Sequence, residues 1–215
     1  MQNERDRPEP GTGRLLERML FFSDSVFAIV LTLLVLDLRM PPGVTDETLI
    51  QGIRDMEPKL VAFGITFGLV AIFWISHISI SRRLSAFDWP TAWANLFFLF
   101  TIALTPFAST LLGEYSVLGN AWRLYCLTLM GVGAALIMLV LVVYRDRGRL
   151  IGGMSRKEFW HRLTRAGSPG VTFAILFALS LMGFRRMSFM LSWVLIPAIL
   201  ILARFLFTRK SSQDS

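Results

Sequence analysis

Six apolar runs divide the chain, at about residues 18–38, 59–81, 91–112, 122–144, 167–184 and 187–207. Runs near 20 residues match the hydrocarbon thickness of a bilayer when wound into helix, so the pattern predicts an all-α integral membrane protein with six transmembrane helices. The fourth run is the cleanest, uncharged from Leu124 to Tyr144. The fifth is the shortest, and Arg185-Arg186 predicts a tight hairpin into the sixth. Pro106 and Pro197 fall inside the third and sixth runs, where neighbouring helices can serve the carbonyls a proline frees. Gly64-Ile-Thr-Phe-Gly68 allows close helix approach, although such motifs are common.

Two connectors carry patterns of their own. Residues 45–58, with Asp46, Glu47, Asp55 and Glu57, predict a short external helix ending at Pro58. Ser155-Arg-Lys-Glu158 matches a capping box and opens a basic helix bearing Phe159, Trp160 and Leu163. That helix is either a surface for anionic headgroups or an ordinary amphipathic connector.

Composition narrows the class. Of 215 residues 54% are hydrophobic and 17% charged, and mean hydropathy is +0.57. A soluble domain would carry about 25% charged residues. The formal charge of +7 does not point to nucleic acid, because the basic residues sit between the apolar runs and form no separate basic face. With the N-terminus inside, 16 of the Lys and Arg residues fall on the cytoplasmic side and 6 on the other. This places both termini in the cytoplasm of a multi-pass protein of the cell membrane. Cys126 is the sole cysteine, which excludes an internal disulfide framework. Leu36-Asp-Leu-Arg-Met-Pro-Pro42 is a poor signal-peptidase substrate, so the first span is expected to be retained. There is no Gly-x-x-x-x-Gly-Lys-Ser/Thr loop and no His-Glu-x-x-His pair, so an enzyme is not expected and no cofactor is called for.

Polar residues inside the first span are the candidate chemistry. Arg18, Phe22, Ser23, Asp24, Ser25 and Thr32 interrupt it, and an ionisable group in a spanning helix is costly unless paired or wet. On a wheel of about 100° per residue with Asp24 at zero, Ser25, Ile29, Thr32, Leu33 and Leu36 fall between about 80° and 180°. Arg18 and Phe22 continue that stripe, while Asp24 and Ser23 lie off it. Such a stripe is either lipid-facing packing or the wall of a pore. Asp24 needs a partner. His77 and Trp74 in span 2 and Asn95 in span 3 lie at matching depth, and an Asp24–His77 hydrogen bond is expected, joined by Ser23 or Asn95. The pair reads as a structural clamp or as a proton relay, and the off-stripe angle favours the clamp.

Arg18-x-x-x-Phe22-Ser23-Asp24 with Ile29 and Thr32, Phe73-Trp74-x-x-His77, and Asn95-Leu96 with Pro106-Phe107 and Glu114-Tyr115 resemble the transmembrane protein 175 family of potassium channels. The single set of six spans is similar to its prokaryotic members, from about residue 14 to 208. The resemblance implies a cytoplasmic segment 1–17, a six-helix channel domain 18–208 and a cytoplasmic tail 209–215. It implies a homotetramer whose pore is formed by helix 1 of four subunits, conducting potassium ions among membrane lipids. Ile29, Leu33 and Leu36 match the family's hydrophobic constriction and Thr32 a threonine tied to potassium preference. Arg18, Phe22, Ser23, Asp24, Trp74, His77 and Asn95 match the residues that hold helix 1 in place. No Thr-Val-Gly-Tyr-Gly filter occurs. Two other readings stay open: a proton-coupled secondary transporter using Asp24 and His77, and a membrane scaffold that transports nothing. No inverted repeat supports the transporter.

Overall fold

The computed structural model describes residues 12–148 and 156–184. Seven helices follow in order: α1 Thr12–Leu36, α2 Leu49–Asp55, α3 Glu57–Ser81, α4 Trp89–Ala103, α5 Thr105–Glu114, α6 Gly119–Gly148 and α7 Arg156–Leu181. Four stretches are long and apolar enough to cross a membrane: Gly13–Leu36, Glu57–Ser81, Trp89–Glu114 and Gly119–Arg145. The apolar part of α7, Ala166–Leu181, is shorter. The run at 187–207 and the Arg185-Arg186 hairpin lie outside the described residues, as does Ser155 of the capping box.

The bundle is centred on α6, which packs against α4, α5 and α7, while α1 lies across α3, α4 and α5. Its core gathers Leu69, Phe73, Phe98, Ile102, Tyr125, Leu129, Leu136 and Phe173, all essentially sealed. Where α6 meets α7 the backbones almost touch. A Cβ added to Gly133 would stand 2.4 Å from the Gly170 Cα. In a membrane, helices associate through such close van der Waals contact because lipid supplies no hydrophobic drive. Gly133→Ala is therefore expected to cost about 1–3 kcal/mol, the usual penalty of overpacking. Equal thermal midpoints for the purified variant and the parent would contradict this contact.

Four boundaries differ from the sequence pattern, two of them for a proline-related reason. The third apolar run is broken at Leu104 into α4 and α5. Pro106 has no N–H for the carbonyl of Ile102, and the Thr105 hydroxyl donates to that oxygen instead at 2.8 Å. The short external helix spans only Leu49–Asp55, and Pro58 opens α3 rather than closing α2, since a proline in the first turn forfeits no helical bond. The basic stretch after the capping box is not a separate helix. It runs unbroken through Pro169 into the fifth apolar run as α7. At the other end, α1 starts at Thr12, before the first apolar run.

Candidate functional site

Helix α1 has two faces. Leu16, Ser23, Phe27, Val30 and Leu34 recur at helical spacing and are buried against α3, α4 and α5. Opposite them stand Phe22, Ile29, Thr32, Leu33 and Leu36, with Ile29 57%, Leu33 43% and Leu36 58% exposed. The predicted stripe is thus the face that α1 turns away from its own subunit. Only 22% of the most apolar window of α1 is buried inside the subunit, against 44–56% for the other three long spans. The hydroxyls near this face do not reach out. Ser25 donates to the Phe21 carbonyl at 2.8 Å and Thr32 to the Ile29 carbonyl at 2.8 Å.

Behind the stripe, in the N-terminal half of α1, a chain of buried polar groups ties three helices. Asn95 of α4 donates from Nδ2 to Ser23 Oγ of α1 at 2.9 Å, and Ser23 Oγ donates to the Met19 carbonyl at 2.9 Å. The Asn95 carbonyl oxygen lies 2.8 Å from His77 Nε2 of α3. Because the Asn95 amide nitrogen is spent on Ser23, its oxygen is the acceptor, and His77 carries a proton on Nε2. The His77 imidazole sits between Phe27, at 5.8 Å, and Phe98, stacked at 5.7 Å. Ser23, His77 and Asn95 are each no more than 2% exposed, and the chain leaves none of them without a partner.

The expected Asp24–His77 hydrogen bond is not formed. Asp24 Oδ1 accepts from the indole Nε1 of Trp74 at 3.0 Å instead, on the exposed flank of α1 and α3. The reason is angular. Ser23 and Asp24 are neighbours about 100° apart on the helix, so when Ser23 faces the core Asp24 must face its edge. Trp74 lies three residues before His77, close to one turn away on α3, and meets Asp24 there. Arg18 and Phe22 stand on the exposed face and join no hydrogen bond or ion pair among the described residues.

Several polar contacts had no counterpart in the sequence reading. Thr66 of α3 meets Ser109 of α5 at 3.1 Å and the Tyr125 hydroxyl of α6 at 3.0 Å, all buried. Asp88 caps α4 by accepting from Thr91 N at 3.0 Å and pairs with Arg145 at the end of α6. Lys59 and Glu114 pair at 3.2 Å at the opposite end of the bundle, where Thr110 donates to Asp37. One signal was available for the first of these. A lone threonine and a lone tyrosine in apolar spans each need a partner in hydrocarbon.

The fold and this geometry define a class: an all-helical, multi-pass membrane protein whose first helix is pinned by one face and, among the described residues, uncovered on the other. Comparison with known proteins narrows it. Residues 18–106 match the family described as "Endosomal/lysosomal potassium channel TMEM175". A potassium channel of Chryseobacterium sp. (strain P1-3) is 30% identical over 131 residues, 61% of this chain and 66% of that one. Another, of Streptomyces collinus, is 28% identical over 150 residues, 70% of this chain and 65% of that one. The crystal structure of a lysosomal potassium-selective channel TMEM175 homolog from Chamaesiphon minutus superposes with a TM-score of 0.72 at 23% identity. That match covers 91% of this chain and 98% of that one, and it shows a shared fold. Over these stretches the chain is similar to channels of the TMEM175 family. The matched stretch spans just under two thirds of the two curated relatives' own length.

Proposed function

We propose that this chain is the subunit of a homotetrameric, potassium-preferring cation channel of the cell membrane, with both termini cytoplasmic. Four copies of α1 line the conduction path and present Ile29, Leu33 and Leu36 as rings of aliphatic side chains. The observation that carries this reading is the two-faced α1, whose inner face is pinned by buried hydrogen bonds while its apolar outer face lacks a partner among the described residues. A merely lipid-facing helix would not need such pinning. A pore helix does, because its rotation sets which residues meet on the axis.

Rings of aliphatics gate by dewetting: a narrow apolar throat is dry, and an ion cannot cross without losing hydration. Sodium holds water more tightly than potassium, so a throat that demands partial dehydration disfavours sodium. Thr32, on the same face, is the one polar ring between Ile29 and Leu36 and sets the potassium preference. Ser23, His77 and Asn95, with Asp24 and Trp74 at the edge, fix the angle of α1. Arg18 and Phe22 stand at the inner approach to the pore.

A proton relay through Asp24 and His77 has less support. His77 is 2% exposed, enclosed by two phenyl rings and bonded to Asn95, while Asp24 bonds elsewhere.

Single cysteines placed in a Cys126→Ala background test the pore face. Water-soluble thiol reagents are expected to modify Ile29→Cys, Leu33→Cys and Leu36→Cys in conducting protein and to spare Phe27→Cys and Leu34→Cys. Reversal of that pattern would put the wrong face of α1 on the axis.

A further inference from the structure

The inner end of α1 is held by the chain through Asn95, and the outer end is held differently. Asp37, one residue past α1, accepts a hydrogen bond from the Thr110 hydroxyl of α5. Helix α5 is a fixed post. It begins anew after the interruption at Leu104. It packs against α3 so closely that a Cβ on Gly113 would stand 2.9 Å from the Lys59 Cα, and Lys59 pairs with Glu114 beside it. A small recess of about 10 Å³, room for one water, lies between Leu34, Asp37, Lys59, Phe63, Thr110 and Glu114. Leu34 is buried beside it, and the polar bond adds to that apolar contact at the outer end of α1.

We propose that the Asp37–Thr110 hydrogen bond is an outer positioning tether, which draws the end of α1 back onto its own subunit and so holds the Leu36 ring away from the pore axis. The proposal rests on α1 lining the conduction path. Its direction follows from the geometry. Asp37 bonds toward α5, on the side to which Val30 and Leu34 turn, whereas Leu33 and Leu36 turn the opposite way. Losing the tether lets four apolar helix ends close on one another and exclude water from the outer throat. The neighbouring Arg39 does not replace it. Its guanidinium donates to the Leu36 carbonyl at 3.3 Å, within the same chain end.

The test is potassium efflux from phosphatidylethanolamine–phosphatidylglycerol liposomes holding the full-length protein, scaled to folded tetramer. Thr110→Val keeps the shape and removes the donor. It is expected to lower flux about fivefold, the population shift that one modest hydrogen bond commands. Thr110→Ser should restore it, and Asp37→Asn, which keeps an acceptor without the charge, should stay near the parent. Should Thr110→Val fail to assemble, Asp37→Ala must show the same loss. Parental flux in Thr110→Val, with flux raised in Ile29→Asn, would overturn the tether and leave the pore reading standing. Unchanged flux in Ile29→Asn would remove the pore reading and the tether with it. A loss in Asp37→Asn without one in Thr110→Val would also overturn it, since Asp37 would then act as a charge that attracts cations. Reduced tetramer yield with normal flux per tetramer would make the bond structural and nothing more.

Discussion

Replacing Ile29 by Asn is expected to raise basal cation flux at least about tenfold, because four amides wet a throat that four branched aliphatics keep dry, and a barrier lowered by about 1.4 kcal/mol is one decade of rate. Ile29 is the right place to cut. It is 57% exposed within the subunit, so the substitution breaks no internal packing, and the amide meets no buried neighbour that it would strand. Discrimination should weaken together with the barrier, since a wet throat no longer asks the ion to shed water. Thr32→Ala makes the companion measurement. Its hydroxyl is bonded to the Ile29 carbonyl, so its loss should erode potassium preference more than total flux. Liposome flux with potassium, sodium and protons as the permeant ion reads all three effects. A folded Ile29→Asn protein with parental flux and selectivity would eliminate the hydrophobic gate.

The second large effect is expected at Asn95. Leucine there fills nearly the same space but strands the His77 Nε2–H in the core, while Ser23 keeps its bond to the Met19 carbonyl, and an orphaned polar group costs about 1–3 kcal/mol. A loss of about 1–3 kcal/mol from the purified protein follows, visible as a lowered thermal midpoint. Coupling decides between two maps of the site. His77→Ala and Asn95→Ala should interact by more than about 1 kcal/mol, since each removes the same bond. Asp24→Ala and His77→Ala should add within about 0.5 kcal/mol, since no bond joins them. Strong coupling of Asp24 to His77 would mean that the Trp74 contact is not the one the carboxylate makes.

The inner chain and the edge contact explain why the site was only partly legible in the sequence. Ser23, His77 and Asn95 stand out because polar groups inside apolar runs must find one another in hydrocarbon. Their depth along three spans is readable by counting residues. Which of several polar groups at one depth become partners is not readable, because that depends on how each helix is rotated and tilted against its neighbour. Asp24 and His77 share a depth but not a facing angle, and Trp74 takes the place that depth alone would give to His77. The Asp37–Thr110 contact was hidden for a related reason. It joins the residue just past α1 to a hydroxyl on α5, and which side of α5 faces the end of α1 is set by packing that hydropathy does not record.

By itself, the order of apolar and polar residues determined that the protein is helical and spans a membrane several times. It also determined that α1 carries Ile29, Leu33 and Leu36 on one stripe with Ser25 and Thr32, apart from Ser23 and Asp24, since the 3.6-residue repeat turns spacing into angle. Tertiary structure alone decided that this stripe is the face α1 keeps free, because only packing against α3, α4 and α5 assigns Phe27, Val30 and Leu34 to the inside. It likewise decided the pairing of the polar groups and the joining of the basic stretch to α7. Those outcomes rest on contacts between residues far apart in the chain, such as Ser23 with Asn95, and local periodicity carries no information about the rotation of one helix relative to another.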